Sequence, residues 1–123
     1  MNAILQACQR GDSTAVHCFI EQNGHDIVHM QFDRGQTLLH HAGSLAVAQI
    51  LVEHGANVNS RDNHGVTPLH KACARGDLRL VQYLVGTAGA NVQALDDAYL
   101  LPVDYAFDYD RSDVADFLLE GQN

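Results

Sequence analysis

A chain of 123 residues with 15 acidic and 7 basic side chains, a formal charge of −8 and 46% hydrophobic content can bury roughly two-thirds of its unfolded surface as one domain, without metal or disulfide staples. The charge is lopsided: residues 1–88 hold seven acids and six bases, whereas residues 89–123 hold eight acids against Arg111. An acidic field repels phosphates, which argues against direct nucleic-acid binding.

The opening Met1-Asn2-Ala3-Ile4-Leu5 has no basic flank leading into a long apolar core. No apolar run approaches the roughly 18 residues of a membrane span. A monomer in the cytoplasm or nucleus, with no membrane contact, is therefore expected. Three cysteines make an odd count, and packed thiols in a reducing compartment are the simpler reading.

The first unit, residues 1–32, contains Ala7-Cys8-Gln9-Arg10-Gly11-Asp12, which returns 65 positions later as Ala72-Cys73-Ala74-Arg75-Gly76-Asp77. It ends one helix and begins another, but no opening motif precedes it. Cys18 has only His17 beside it, and adjacent helical residues do not face each other, so no reactive Cys-His pair is expected.

The second unit, residues 33–61, opens with Thr37-Leu38-Leu39-His40-His41-Ala42 and reaches its closing Gly55-Ala56-Asn57-Val58-Asn59 after only 18 positions. Aligned on that closing motif, the missing residues fall between Ala42 and Gly43, which leaves about one turn of the first helix. A lone turn is unfavourable and must be held by its neighbours, so a notch is expected there.

The third unit, residues 62–95, is regular. Thr67 is placed to cap a helix that Pro68 starts, Leu69 and Ala72 share its inner face, and Gly76 permits the left-handed backbone that ends it. Asp77 then caps a second helix with Leu80, Val81, Leu84 and Val85 in one apolar stripe.

The fourth unit, residues 96–123, repeats the opening as Leu101-Pro102-Val103-Asp104-Tyr105-Ala106, 34 positions on, with Val114, Phe117, Leu118 and Leu119 as a final stripe. Tyr99 stands where the third unit has Gly65, and Asp110 where it has Gly76. Tyrosine tolerates positive φ poorly, and acids crowd here, so the fastest amide exchange is expected in 96–123. Asp113, Asp116 and Glu120 read as the soluble outer face of an end repeat or, alternatively, as an acidic docking face.

The Thr-Pro-Leu-His-x-Ala run and its period of about 33 residues resemble the ankyrin repeat. The resemblance covers essentially the whole chain and implies a mainly α solenoid of four helix-turn-helix units with β-hairpin or turn connections. It also implies binding of other proteins through hairpin tips and the exposed side of the first helices, with no catalytic residues and no cofactor. For His40 and His70 it implies imidazoles bonded to the threonine hydroxyl and nearby backbone. For Asn59, which follows the Gly-Ala-x-Val closing motif, it implies a substrate position for an asparagine oxygenase. The short second unit, with Gly43-Ser44-Leu45-Ala46-Val47-Ala48-Gln49-Ile50-Leu51-Val52-Glu53-His54-Gly55-Ala56, further resembles the ankyrin inhibitors of cyclin-dependent kinases, as does Leu101 to Ala106. Lys71 departs from them, since they carry an aspartate facing the kinase at that position.

Eight histidines raise the question of a metal. His25, His29, His54 and His64 read as loop or hairpin residues, and neither Cys-x-x-Cys nor His-Glu-x-x-His spacing occurs, so no dedicated metal site is expected. No phosphate loop, nucleophile elbow or paired base appears either.

The positions expected to meet a partner are Arg34 and Gln36; Arg61, Asn63, His64 and Val66; Asp97, Ala98 and Leu100; and, on the helix side, His41, Lys71, Arg75, Tyr105 and Tyr109. Arginine and aromatic residues dominate binding hot spots, which singles out Arg61, Arg75, Tyr105 and Tyr109. The expected function is a non-catalytic protein-interaction module. The alternatives are an inhibitor of a cyclin-dependent kinase and a purely structural scaffold unit.

Overall fold

The computed structural model describes residues 3–120; the outermost residues of the first and fourth units, 1–2 and 121–123, lie outside the described range. The chain divides into two compact units, Met1–Asn57 and Val58–Asn123. Among the described residues there are seven α-helices and no strands. Within the described residues no helix is long and apolar enough to cross a membrane.

In the first unit, α1 (Ala3–Arg10) ends at Gly11 with φ of 75°, and Asp12 caps α2 (Ser13–Asn23) by accepting the Ala15 amide at 3.1 Å. Ile4, Ala7 and Cys8 of α1 are buried with Val16 and Ile20 of α2. Short 3-10 turns at His25–His29, Asp33–Gly35 and Leu38–His41 follow, and then α3 (Leu45–Glu53). Ser44 caps α3 through a 3.2 Å bond from the Val47 amide.

The expected truncation is present. Where the third repeat has an eight-residue helix, the second has the four-residue turn Leu38–His41. That turn is not free-standing: it packs on α1, and Leu38, Leu39 and His40 are buried. The chain leaves it by running against the end of α1, where the Gly43 amide donates to the Cys8 carbonyl at 2.8 Å. A Cβ on Gly43 would lie 2.3 Å from the Gln9 carbonyl oxygen, so a side chain there would collide with main chain.

In the second unit, α4 (Pro68–Arg75) pairs with α5 (Leu78–Gly86), and α6 (Pro102–Asp108) pairs with α7 (Ser112–Glu120); α4 packs on α6 and α5 on α7. Thr67 and Asp77 cap α4 and α5 as the sequence requires, with the His70 amide 3.3 Å from Thr67 Oγ1 and the Leu80 amide 3.3 Å from Asp77 Oδ1. At α6 only half of the capping arrangement survives. Asp104 Oδ2 accepts the Leu101 amide at 2.8 Å, but leucine offers no acceptor in return.

The connections are tight turns rather than β-hairpins. Backbone pairs Phe32–Gln36, Asp62–Val66 and Asp96–Leu100 each close a turn at 2.7, 2.9 and 3.1 Å. Their fourth positions are Gly35, Gly65 and Tyr99, with φ of 75°, 76° and 62°. Tyr99 and Asp110, with φ of 58°, therefore do adopt the left-handed backbone that glycine provides in the third repeat.

Candidate partner-binding surface

The second unit gathers most of the expected contact positions. The Asp62 carboxylate accepts the His64 and Val66 amides at 2.8 and 2.9 Å, which fixes one turn. Asp96 fixes the next by accepting the Ala98 and Leu100 amides, both at 2.9 Å. The two turns are joined, since the Asp97 amide donates to the His64 carbonyl at 2.9 Å. Asn63, His64, Asp97 and Ala98 are thereby held side by side and exposed. Arg61 is exposed but engaged, its Nη2 lying 3.2 Å from Asp97 Oδ1. An exposed pair of this kind is worth about 0–1 kcal/mol, so a partner could displace it at little cost.

Below the tips, α4 carries Lys71, which is half-buried, and Arg75, which is exposed; α6 and its end carry Tyr105, half-buried, and Tyr109, exposed. His70 lies beneath them. Its Nδ1 accepts the Thr67 amide at 3.1 Å and lies 2.8 Å from Thr67 Oγ1. A backbone amide can only donate, so Nδ1 holds the lone pair and Nε2 the hydrogen, which Nε2 gives to the Leu100 carbonyl at 2.9 Å. Burial is the main influence on His70 and lowers its pKa; the ring is neutral. His40 repeats the local half of this pattern, accepting the Thr37 amide at 3.0 Å.

Two expectations need correction. Gln36 is buried at 8% exposure, because it closes its turn and leads straight into the buried Leu38–His41 segment. Tyr105 is not a free hydroxyl: it donates to Asp96 Oδ2 at 2.5 Å, and its ring meets His70 edge-on at 4.9 Å. Burial would raise the Asp96 carboxyl, but the bonds from Tyr105, Leu100 and Ala98 outweigh it and hold the group below the usual carboxylate range. The same burial and contact push the Tyr105 phenol up. Val66 and Leu100 are half-buried and contribute main chain to the turns.

Two exposed aromatics join the second-unit surface unforeseen: Tyr99 at 80% and Phe107 at 56% exposure. Phe107 lines an open cleft of about 300 Å³ between α6 and α7, with Asp110, Arg111 and Asp116. Arg111 is tied down by donating from Nε to the Ala74 carbonyl at 3.1 Å. Asn59 is exposed, and its Oδ1 accepts the Asn91 amide at 2.7 Å. In the first unit Arg34 is exposed with φ of 67°, and half-buried His41 has Nδ1 3.3 Å from Gln9 Nε2.

Helix pairs joined by carboxylate-fixed turns, with a Thr-His pair at Thr37 and His40 and again at Thr67 and His70, define a repeat fold that presents its turns. The chain belongs to the ankyrin-repeat family, whose three-copy model matches residues 4–96. Among its relatives is mouse protein phosphatase 1 regulatory subunit 27, 35% identical over 105 residues, covering 81% of this chain and 66% of that protein. The human protein of that name is 40% identical over 73 residues, covering 57% and 47%. A probable 26S proteasome regulatory subunit p28 from Saccharomyces cerevisiae is 29% identical over 117 residues, covering 93% and 51%. The chain thus spans about half to two-thirds of the length of these relatives. Ankyrin repeats generally mediate protein–protein interaction.

Proposed function

We propose that the chain is a four-repeat, non-catalytic module that binds a partner protein through the joined turn tips and the α4 and α6 side of its second unit, with Arg34 and His41 as further contacts in the first. The observation that carries this reading is the His64–Asp97 backbone link at 2.9 Å. It presents Arg61, Asn63, His64, Ala98 and Tyr99 as one pre-ordered strip, and pre-ordering cuts the entropy lost on binding. A monomer in the cytoplasm or nucleus, without nucleic acid or membrane contact, fits this role. The relatives' names make protein phosphatase 1 and the 26S proteasome the first candidate partners to test. Affinity capture comparing the wild type with a combined Arg61→Ala, Arg75→Glu variant tests the surface. Loss of specific partners is expected, and an unchanged set of partners would refute it and leave a scaffold role.

Inhibition of a cyclin-dependent kinase is the second reading, favoured by the one-turn segment Leu38–His41 and opposed by the positive Lys71. Direct mixing with a purified cyclin-dependent kinase decides it by association or its absence. Asn59, exposed in its turn, remains the proposed hydroxylation position; mass spectrometry of protein from cells should show an added oxygen there, and only unmodified Asn59 would remove it.

A further inference from the structure

The first unit brings together three side chains that the sequence scatters. His17 and Glu21 lie one turn apart on α2, with His17 Nε2 3.7 Å from Glu21 Oε1. The packing of α2 on α3 delivers His54, the residue that ends α3, to the same place: its ring centroid is 6.0 Å from that of His17. One ligating atom from each of the three lies within 4.8 Å of the other two. His54 is also oriented as a ligand needs to be. Its Nδ1 donates to the Ile50 carbonyl at 2.8 Å, so Nε2 keeps the lone pair, the outer-shell arrangement that fixes the tautomer of metal-bound imidazoles. A further imidazole, His25, has its centroid 4.8 Å from that of His54.

We propose that His17, Glu21 and His54 form a Zn²⁺ site, with the fourth position open to water or to His25. Two imidazoles and one carboxylate suit zinc, whereas calcium and magnesium require oxygen ligands throughout. A tetrahedral set has ligand atoms about 3.4 Å apart, so the three groups need close only by side-chain rotation. His17 and Glu21 are 53% and 61% exposed, which gives the ion a path in and makes the site weaker than a buried four-ligand one. Once bound, the ion would pin α2 to the end of α3.

The test is calorimetric titration of the full chain with ZnCl2 in a non-chelating buffer, alongside melting curves with and without the metal. One equivalent should bind with a Kd on the order of micromolar, well short of four-ligand structural zinc, and the Tm should rise. His17→Ala and Glu21→Gln, both exposed and so expected to fold normally by circular dichroism, should each weaken binding at least tenfold. His64→Ala should bind as the wild type does. Substituted Co²⁺ should show d–d absorption without a thiolate charge-transfer band. The proposal is overturned by the absence of a wild-type isotherm, by binding that His17→Ala leaves intact, or by a thiolate band that Cys18→Ser abolishes.

Discussion

Replacing His70 with alanine should be among the most damaging single changes in the second unit. The ring is fully buried; alanine would strand the Thr67 amide, which it now pairs at 3.1 Å, and would remove one of two donors to the Leu100 carbonyl, which keeps the Asp96 amide. The unsatisfied buried amide costs about 1–3 kcal/mol and the lost bond to Leu100 about 0.5–1.5 kcal/mol, and the lost packing against Tyr105 adds about 1–2 kcal/mol. A total near 4 kcal/mol is large beside the roughly 5–15 kcal/mol of a whole domain. For a chain of 123 residues it corresponds to a Tm lower by about 15 °C. Urea unfolding followed by circular dichroism measures it, and a loss below about 1 kcal/mol would refute the assignment of these bonds. The pH dependence supplies a second reading. Because the folded pKa of His70 lies below the ordinary 6.5, the unfolded chain takes up this proton first as pH falls. Its contribution to stability is therefore complete above about 6.5 and is lost as pH falls toward the folded value. The stability difference between wild type and His70→Gln should shrink through that window, since subtraction removes the other histidines; a difference that grows on acidification would contradict the neutral tautomer.

Tyr99→Gly should stabilise the protein by about 0.5–1 kcal/mol, because it relieves a left-handed tyrosine that is 80% exposed; a destabilised variant in thermal melts would show that the ring packs usefully. Amide exchange should be fastest from residue 96 onward, and uniformly slow exchange there would count against backbone strain at Tyr99 and Asp110. Tyr105→Phe should cost about 1–2 kcal/mol through the bond to ionised Asp96, measured by urea unfolding, and less in an Asp96→Asn background, where the partner is no longer charged. Only Cys18 should react quickly with a thiol reagent, since it is exposed while Cys8 and Cys73 are buried and pushed up to about 12; three fast equivalents in the folded protein would argue against packed thiols.

Features set by short-range chemistry are legible in the sequence. Thr67, Pro68 and Gly76 act within one helix, and the missing turn after Ala42 follows from counting along the repeat. Residues whose role depends on contacts beyond their own helix or turn are not. Nothing local distinguishes Tyr105 as a donor to Asp96, nine positions away, from a solvated tyrosine. No local signal marks Gln36 as buried, because its burial comes from closing its turn and leading into the buried Leu38–His41 segment. The His17, Glu21 and His54 cluster matches no contiguous metal motif, since one residue arrives from the end of the following helix. The available signal was His17 and Glu21 at helical i, i+4 spacing, with His54 about one repeat further on.

The contact at Gly43 bears on how the short second repeat can be altered. Main chain touches main chain there, with the Gly43 amide on the Cys8 carbonyl and no room for a Cβ beside Gln9. The deletion is consequently not a blank that a longer loop could refill at will. Inserting a turn after Ala42 would have to extrude the new residues while leaving Gly43 seated, or else lift α3 off its starting point. An engineer wishing to vary recognition at this edge should therefore mutate outward from Leu38–His41 and treat the junction itself as a hinge pin, not as a splice site.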